Sequence, residues 1–169
     1  MAARTVLHRS RKFTLERIEP PAGRGHAHDV VVHPGAAVIL PLLDADTAVL
    51  THNRRIAVGR ELLELPAGTL EPPEPPIECA RRELAEETGY RAGHLKPLCK
   101  FYSAPGFCNE LLHAFVATEL TAGEQSLDES EEIKIQPMKW PDALAAIADG
   151  RIVDAKTIAA ILYYDRFRR

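Results

Sequence analysis

The chain has 169 residues, 46% of them apolar, the size of one domain with a core large enough to fold without staples. A net charge of −3 and a pI near 6.2 give no basic footprint for nucleic acid, and no apolar run approaches the roughly 20 residues of a membrane span. Cys79, Cys99 and Cys108 are odd in number and lack a C-x-x-C spacing, so neither a disulfide framework nor a zinc ribbon is indicated, and a reducing, cytoplasmic location is expected.

Residues 1 to 12 carry Arg4, Arg9, Arg11 and Lys12 with no acid, and are expected to be an arm leading into a strand rather than a transit or secretory segment. Strand-like segments follow: Phe13, Leu15 and Ile18 in a polar frame, then Val30 to Val32, then the run "AAVILPLL" from Ala36 to Leu43. Asp44 to Asp46 turns the chain into "TAVLTHN" as hairpin partner, and "RELLELPAG" reads as a further strand ending at Pro66 and Gly68. His26 and His28 form an H-x-H pair without a third ligand nearby, so both are expected at the surface apart from any role for His28 in binding. After the Pro-rich loop around Pro72, Pro73, Pro75 and Pro76, the spacing of Ile77, Ala80 and Leu84 predicts a helix over about 75–88, with Pro75 as its first residue. Strands "LKPLCKFY" and "LLHAFVATEL", the acidic loop "TAGEQSLDESEE" and a last strand "IKIQPMKW" come next. Two helices close the chain: Pro141 to Asp149, stopped by Gly150, and Asp154 to about Arg166, with Ile158, Ile161 and Leu162 as the buried side.

The helix over 75–88 breaks two local rules. Glu83 and Glu87 stand at i and i+4, where like charges cost a helix roughly 0.2 to 0.5 kcal/mol. With Glu86 they crowd its C-terminal end, marked by Gly89, where the dipole favours cations. Rule-breaking of this kind is expected at functional sites. A bound cation would relieve both conflicts, and at about 100° per residue the three carboxylates lie on an arc beside the apolar stripe, as a cleft rim requires.

From Gly68 to Tyr90 the chain reads "GTLEPPEPPIECARRELAEETGY". This resembles the Nudix hydrolase signature, G-x5-E-x7-R-E-U-x-E-E-x-G-U with U apolar. Gly68, Glu74, Arg82, Glu83, Glu86, Glu87 and Gly89 all match, Leu84 fills the first apolar position, and Tyr90 stands at the last. An isolated "RELAEE" would ordinarily be a solvated helix face; the preceding loop, with Gly68 and Glu74 at fixed distances, overrules that reading. The resemblance implies an α/β fold, an α/β/α sandwich with a mixed sheet, here extended by an N-terminal antiparallel β segment. It also implies Mg²⁺, or Mn²⁺, held by Glu83 and Glu87, more weakly by Glu86, and by the backbone carbonyl of Ala67. Hard cations of this kind prefer oxygen donors and carry substrate phosphates in their remaining positions. Gly68, Glu74, Arg82 and Gly89 would be structural, with an Arg82–Glu74 ion pair joining loop and helix.

Outside this box, "YSAPGFCNE" places Pro105 sixteen residues after Gly89 and Glu110 five after Pro105. "NRRIAVGRELLELPAG", "HDVVVHPGAAV" and "GRIVDAKTIAAILY" complete a resemblance to the ADP-ribose pyrophosphatase branch over about residues 28 to 164. The branch implies substrate contacts at Arg55, Glu64, Pro105, Gly106 and Glu110. His28 stands where an Arg is common, and Asp29 replaces a Glu. The segment "LDESEEIKI" supplies Glu131 as first choice for metal and water contact and Glu129 as the alternative base. Residues 1–35 are expected to form a dimerising extension and 36–169 the hydrolase domain. The expected partners are a small nucleotide-sugar substrate and a second copy of the chain, with no nucleic acid and no membrane. The expected reaction is hydrolysis of ADP-ribose, to AMP and ribose 5-phosphate, or of a related nucleoside diphosphate sugar such as GDP-mannose or a UDP-sugar. A module that binds ADP-ribose without turnover is the rival, although it has no need of three carboxylates together. Cys79 and Cys108 have no paired His at recognisable spacing and are not expected to be nucleophiles.

Overall fold

The computed structural model describes residues 3–21, 25–127 and 132–169. Ten strands and three α-helices run in the order β1 (Arg4–Arg9), β2 (Thr14–Ile18), β3 (His28–Val32), β4 (Ala36–Asp44), β5 (Thr47–Arg55), β6 (Arg60–Glu64), β7 (Ala67–Thr69), α1 (Pro76–Thr88), β8 (Arg91–Tyr102), β9 (Leu111–Thr121), β10 (Ile133–Lys139), α2 (Trp140–Ala148) and α3 (Ala155–Phe167). The central mixed sheet has the order β10-β5-β4-β9-β8, with β6 also paired to β5 and β7 to β4. Strands β4 and β9 are parallel and every other pairing is antiparallel.

Strand β4 shows why the sandwich forms. Its side chains alternate between faces, as strand geometry dictates, and both faces are covered. Ala37 and Ile39 pack with Leu70, Cys79, Ala80 and Leu84 of the α1 side. Val38, Leu40 and Leu42 pack with Trp140, Ala160 and Ile161 of the α2 and α3 side. A strand buried twice reads as a continuous apolar run, which is what "AAVILPLL" is.

The structure corrects several boundaries. Residues 4–9 are a strand and not an arm, antiparallel to β2 from Arg4 opposite Ile18 to Arg9 opposite Thr14. Its side chains are all exposed, so no apolar alternation announced it. "RELLELPAG" divides into β6 and β7, because Pro66 ends one pairing and its carbonyl accepts instead from the Ile39 amide (2.9 Å). Pro75 is the residue before α1 (φ −66°, ψ 146°), and Pro76 is the first helical one. Leu162 is 43% exposed; Thr157, Ala160 and Ile161 form the buried face of α3.

The N-terminal strands make a separate antiparallel sheet, β1-β2-β3. It is stitched to the turn before β9: the Val31 amide donates to Phe107 O (2.8 Å), the Asn109 amide to Val31 O (3.1 Å), and the His33 amide to Asn109 Oδ1 (2.7 Å).

Candidate active site

A cleft of about 790 Å³ opens where α1, β7, the end of β5 and the start of α3 meet. Its acidic wall is the edge of α1, with Glu83, Glu86 and Glu87, beside Ala67 and Gly68 of β7. Arg55, Lys156 and Glu110 line the same cleft.

Gly68 has a steric reason to be glycine. A Cβ there would stand 1.8 Å from both the Glu83 carboxyl carbon and Oε1. The Glu83 carboxylate thus lies directly on the β7 backbone. Next to it, Glu87 is buried (4% exposed), and its Oε2 accepts from the Ala67 amide (3.1 Å). Gly89 ends α1 in the left-handed conformation (φ 70°), and a Cβ would meet Gly123 O at 2.6 Å.

Arg82 organises the loop and the acids around it. Its Nε and Nη2 donate to the two Glu74 oxygens (3.0 and 3.1 Å), and Nη1 donates to Glu83 Oε1 (2.7 Å) and Glu86 Oε2 (3.0 Å). The hydrogen bonds to Glu74, then the charge of Glu83, hold the guanidinium well above its ordinary pKa, against the opposing effect of burial; Arg82 in turn holds the Glu74 carboxyl below the usual carboxylate range. Among the described residues, no three His, Cys, Asp or Glu side chains already converge as a metal cage, since Arg82 draws Glu83 and Glu86 toward itself. The donors are nevertheless all hard oxygens on one rim, and the Glu83 carboxylate rests in the cradle that Gly68 leaves. This donor set fits Mg²⁺ or Mn²⁺ rather than a softer ion.

Glu64 is 1% exposed and is not among the residues that line the cleft. Arg55 donates to it twice (2.9 and 2.7 Å), and Lys156 donates to the same Oε2. Burial acts to raise the Glu64 pKa, but hydrogen bonds from Arg55 and the charge of Lys156 outweigh it, and the carboxyl sits below its ordinary value. His28, Pro105 and Gly106 do not line the cleft of this chain either. His28 pairs with Ile18 in the N-terminal sheet, and Pro105 and Gly106 are exposed on the turn that the sheet holds. His33 Nδ1 stands 3.5 Å from Glu110 Oε1 but accepts from the Gly35 amide (3.1 Å).

Glu129 and Glu131 lie outside the described residues. The preceding loop reaches the end of α1, where Gln125 Nε2 donates to Glu87 O (2.5 Å) and the Ser126 amide to Glu86 O (3.0 Å). Cys79 is buried, and desolvation, then Glu83 and Glu74, push its thiol up to about 12, which removes it as a nucleophile. Cleft residues that the sequence reading passed over are Lys156, Asp154, Arg11 and Lys12. Lys156 had a signal: a cation in the first turn of a helix opposes the dipole, the same kind of conflict that exposed the α1 carboxylates.

A NUDIX domain model matches residues 32–161. Among curated relatives, the chain is 38% identical to an ADP-ribose pyrophosphatase of Bacillus subtilis (strain 168), over 88% of this chain and 82% of the relative. It is 34% identical to a methanol dehydrogenase activator of Bacillus methanolicus (90% and 83%) and 36% identical to a GDP-mannose pyrophosphatase of Cronobacter sakazakii (strain ATCC BAA-894; 73% and 69%). The crystal structure of an ADP compounds hydrolase shares the fold, with a TM-score of 0.85 over 99% of this chain and 92% of that one at 24% identity. With the family model spanning most of its length and the signature side chains gathered on one cleft, the chain belongs to the NUDIX domain family.

Proposed function

We propose that this chain is a Mg²⁺-dependent pyrophosphohydrolase that cleaves the diphosphate of ADP-ribose or a related nucleoside diphosphate sugar. The observation that carries the reading is that Glu83, Glu86 and Glu87 line the same cleft as Arg55. A diphosphate needs cations around it, and the carboxylates can supply them only through a metal. When bound there, Mg²⁺ or Mn²⁺ would screen charge on the phosphoryl oxygens and lower the pKa of an attacking water. The chain's own residues then divide the work. Arg55 holds a phosphate, Glu110 faces the sugar or base, and Arg82 with Glu74 keeps the loop packed on α1. Glu131, with Glu129 as alternative, would accept the proton of the water; Glu131→Gln and Glu129→Gln should lower kcat more than they raise KM.

A panel of ADP-ribose, GDP-mannose, UDP-glucose, NADH and diadenosine polyphosphates with Mg²⁺ tests the reading. ADP-ribose should give the highest kcat/KM, with AMP as product. The relative named for GDP-mannose supports that sugar nucleotide as the second reading, and turnover of none of the panel would leave the non-catalytic sensing module.

Assembly belongs to the same proposal. Residues 1–35 would pair two copies and 36–169 would carry the chemistry. Val6, Leu7 and Phe13 are exposed on the N-terminal sheet, and none of its described residues is fully buried, which supports a second copy as its cover. Sedimentation should give a dimer, and an active monomer would contradict it. Among the described residues no helix is long and apolar enough to cross a membrane, and the three free thiols support a cytoplasmic location.

A further inference from the structure

Three parts of the chain converge behind the basic wall of the cleft. Arg55, at the end of β5, donates from Nε to Glu64 Oε1 (2.9 Å) and from Nη2 to Glu64 Oε2 (2.7 Å). Lys156, in the first turn of α3, donates to that same Oε2, and its Nζ also lies 3.0 Å from Asp154 Oδ1. The side chains of Glu64 and Lys156 are 2% and 14% exposed, while Arg55 is 39% exposed toward the cleft. Two cations and two carboxylates therefore balance. Without Lys156, Arg55 alone would face both Glu64 and Asp154, and the group would carry a net charge of −1. A cation in the first turn of a helix is unfavourable by itself, and this shared carboxylate is what compensates for it.

We propose that Lys156 is a positioning residue for substrate binding: by sharing the buried Glu64 carboxylate, it fixes the Arg55 guanidinium and leaves its charge available to a phosphate in the cleft. The inference rests on the reading of Arg55 as the phosphate contact. It assigns a role to α3, an element that contributes nothing to the signature stretch.

The test compares Lys156→Met and Lys156→Arg with wild type. The Arg55 Nε–H resonance, assigned with Arg55→Lys, is followed by ¹⁵N NMR during titration with inorganic pyrophosphate in metal-free buffer, and KM and kcat for ADP-ribose are measured with Mg²⁺. Lys156→Met should move the Nε–H resonance and weaken pyrophosphate binding by about tenfold or more, since one unit charge about 10 Å from even a single phosphate charge, at an effective dielectric near 20, is worth at least that factor. KM should rise by a similar factor with kcat changed less than about threefold, and Lys156→Arg should restore most of the affinity. Should the Met variant fail to fold, Lys156→Gln, which keeps a hydrogen bond and loses the charge, is expected to behave the same way. Unchanged pyrophosphate affinity in the neutral variant, or a loss confined to kcat, overturns the role of Lys156. Wild-type protein that turns over no nucleoside diphosphate sugar, yet binds pyrophosphate more tightly than the neutral variant, sinks the hydrolase reading and leaves the role of Lys156 standing.

Discussion

Replacing Gly68 by Ala should separate chemistry from folding. The added Cβ would lie 1.8 Å from the Glu83 carboxyl carbon and from Oε1, and 2.3 Å from Oε2. Ordinary contact begins near 3.4 Å, so the carboxylate must retreat by about 1.6 Å, several times the tolerance of roughly 0.2 Å on a metal–ligand distance. It can do so at small cost, because it is the far end of a flexible side chain. Gly68 does not adopt a positive φ, so Ala suits its backbone and removes unfolded-state entropy worth about 0.4–1 kcal/mol. Thermal melting in metal-free buffer should therefore stay within about 3 °C of wild type. Turnover should fall by about 100-fold or more, and the Mg²⁺ concentration for half-maximal rate should rise, since even groups that only orient a ligand are worth 10–100-fold. The assay is initial rate against Mg²⁺ concentration beside a circular dichroism melt. Wild-type turnover at wild-type Mg²⁺ would refute the reasoning, and so would inactivity explained by a melting point more than about 5 °C lower.

The contrasting change is Gly89→Ala, where φ is 70° and the obstacle at 2.6 Å is the Gly123 carbonyl oxygen; it should cost about 1–3 kcal/mol in a urea melt. Thr157→Val leaves the Leu65 amide, which donates to Thr157 Oγ1 at 2.8 Å, buried without a partner; a loss of about 1–3 kcal/mol is expected, with Thr157→Ser close to wild type. Arg82 keeps the folded pKa of Glu74 below its unfolded value near 4.5, so this pair stabilises the fold above that pH and ceases to as pH falls through the lower folded value. Glu74→Gln should accordingly be about 1 kcal/mol less stable than wild type at pH 7, with the deficit shrinking as pH falls below 4.5, and a deficit that does not shrink with falling pH would contradict the assignment. A thiol reagent at pH 8 should leave Cys79 unlabelled until the protein unfolds, because burial pushes that thiol up to about 12.

What the sequence disclosed depended on how local the cause was. The carboxylates of α1 were legible because their conflicts with each other and with the helix dipole all occur within five residues, Glu83 to Glu87. Strand β4 was legible because burial on both faces leaves an unbroken apolar run. Strand β1 was not, since its order comes from the β2 ladder and its side chains all face solvent. Glu64 showed the same limit in the site. Its place in the chain suggested a cleft contact, but it is buried, and one of its partners is Lys156, 92 residues away. No periodicity in one segment can report such a partner. The turn carrying Pro105 and Gly106 is likewise placed by hydrogen bonds to β3, from a part of the chain more than seventy residues earlier.

Strand β8 ends the central sheet and, among the described residues, pairs only with β9. An unpaired edge of 12 residues is a template on which another chain could add a strand and begin to aggregate. Several features oppose this. Pro97 has no amide hydrogen to offer, the register shifts between Pro97 and Cys99, and Lys96 and Lys100 bring charge to either side. The same residues that make this strand look irregular thus act as gatekeepers, and replacing Pro97 by Val should speed light scattering during refolding while leaving turnover intact.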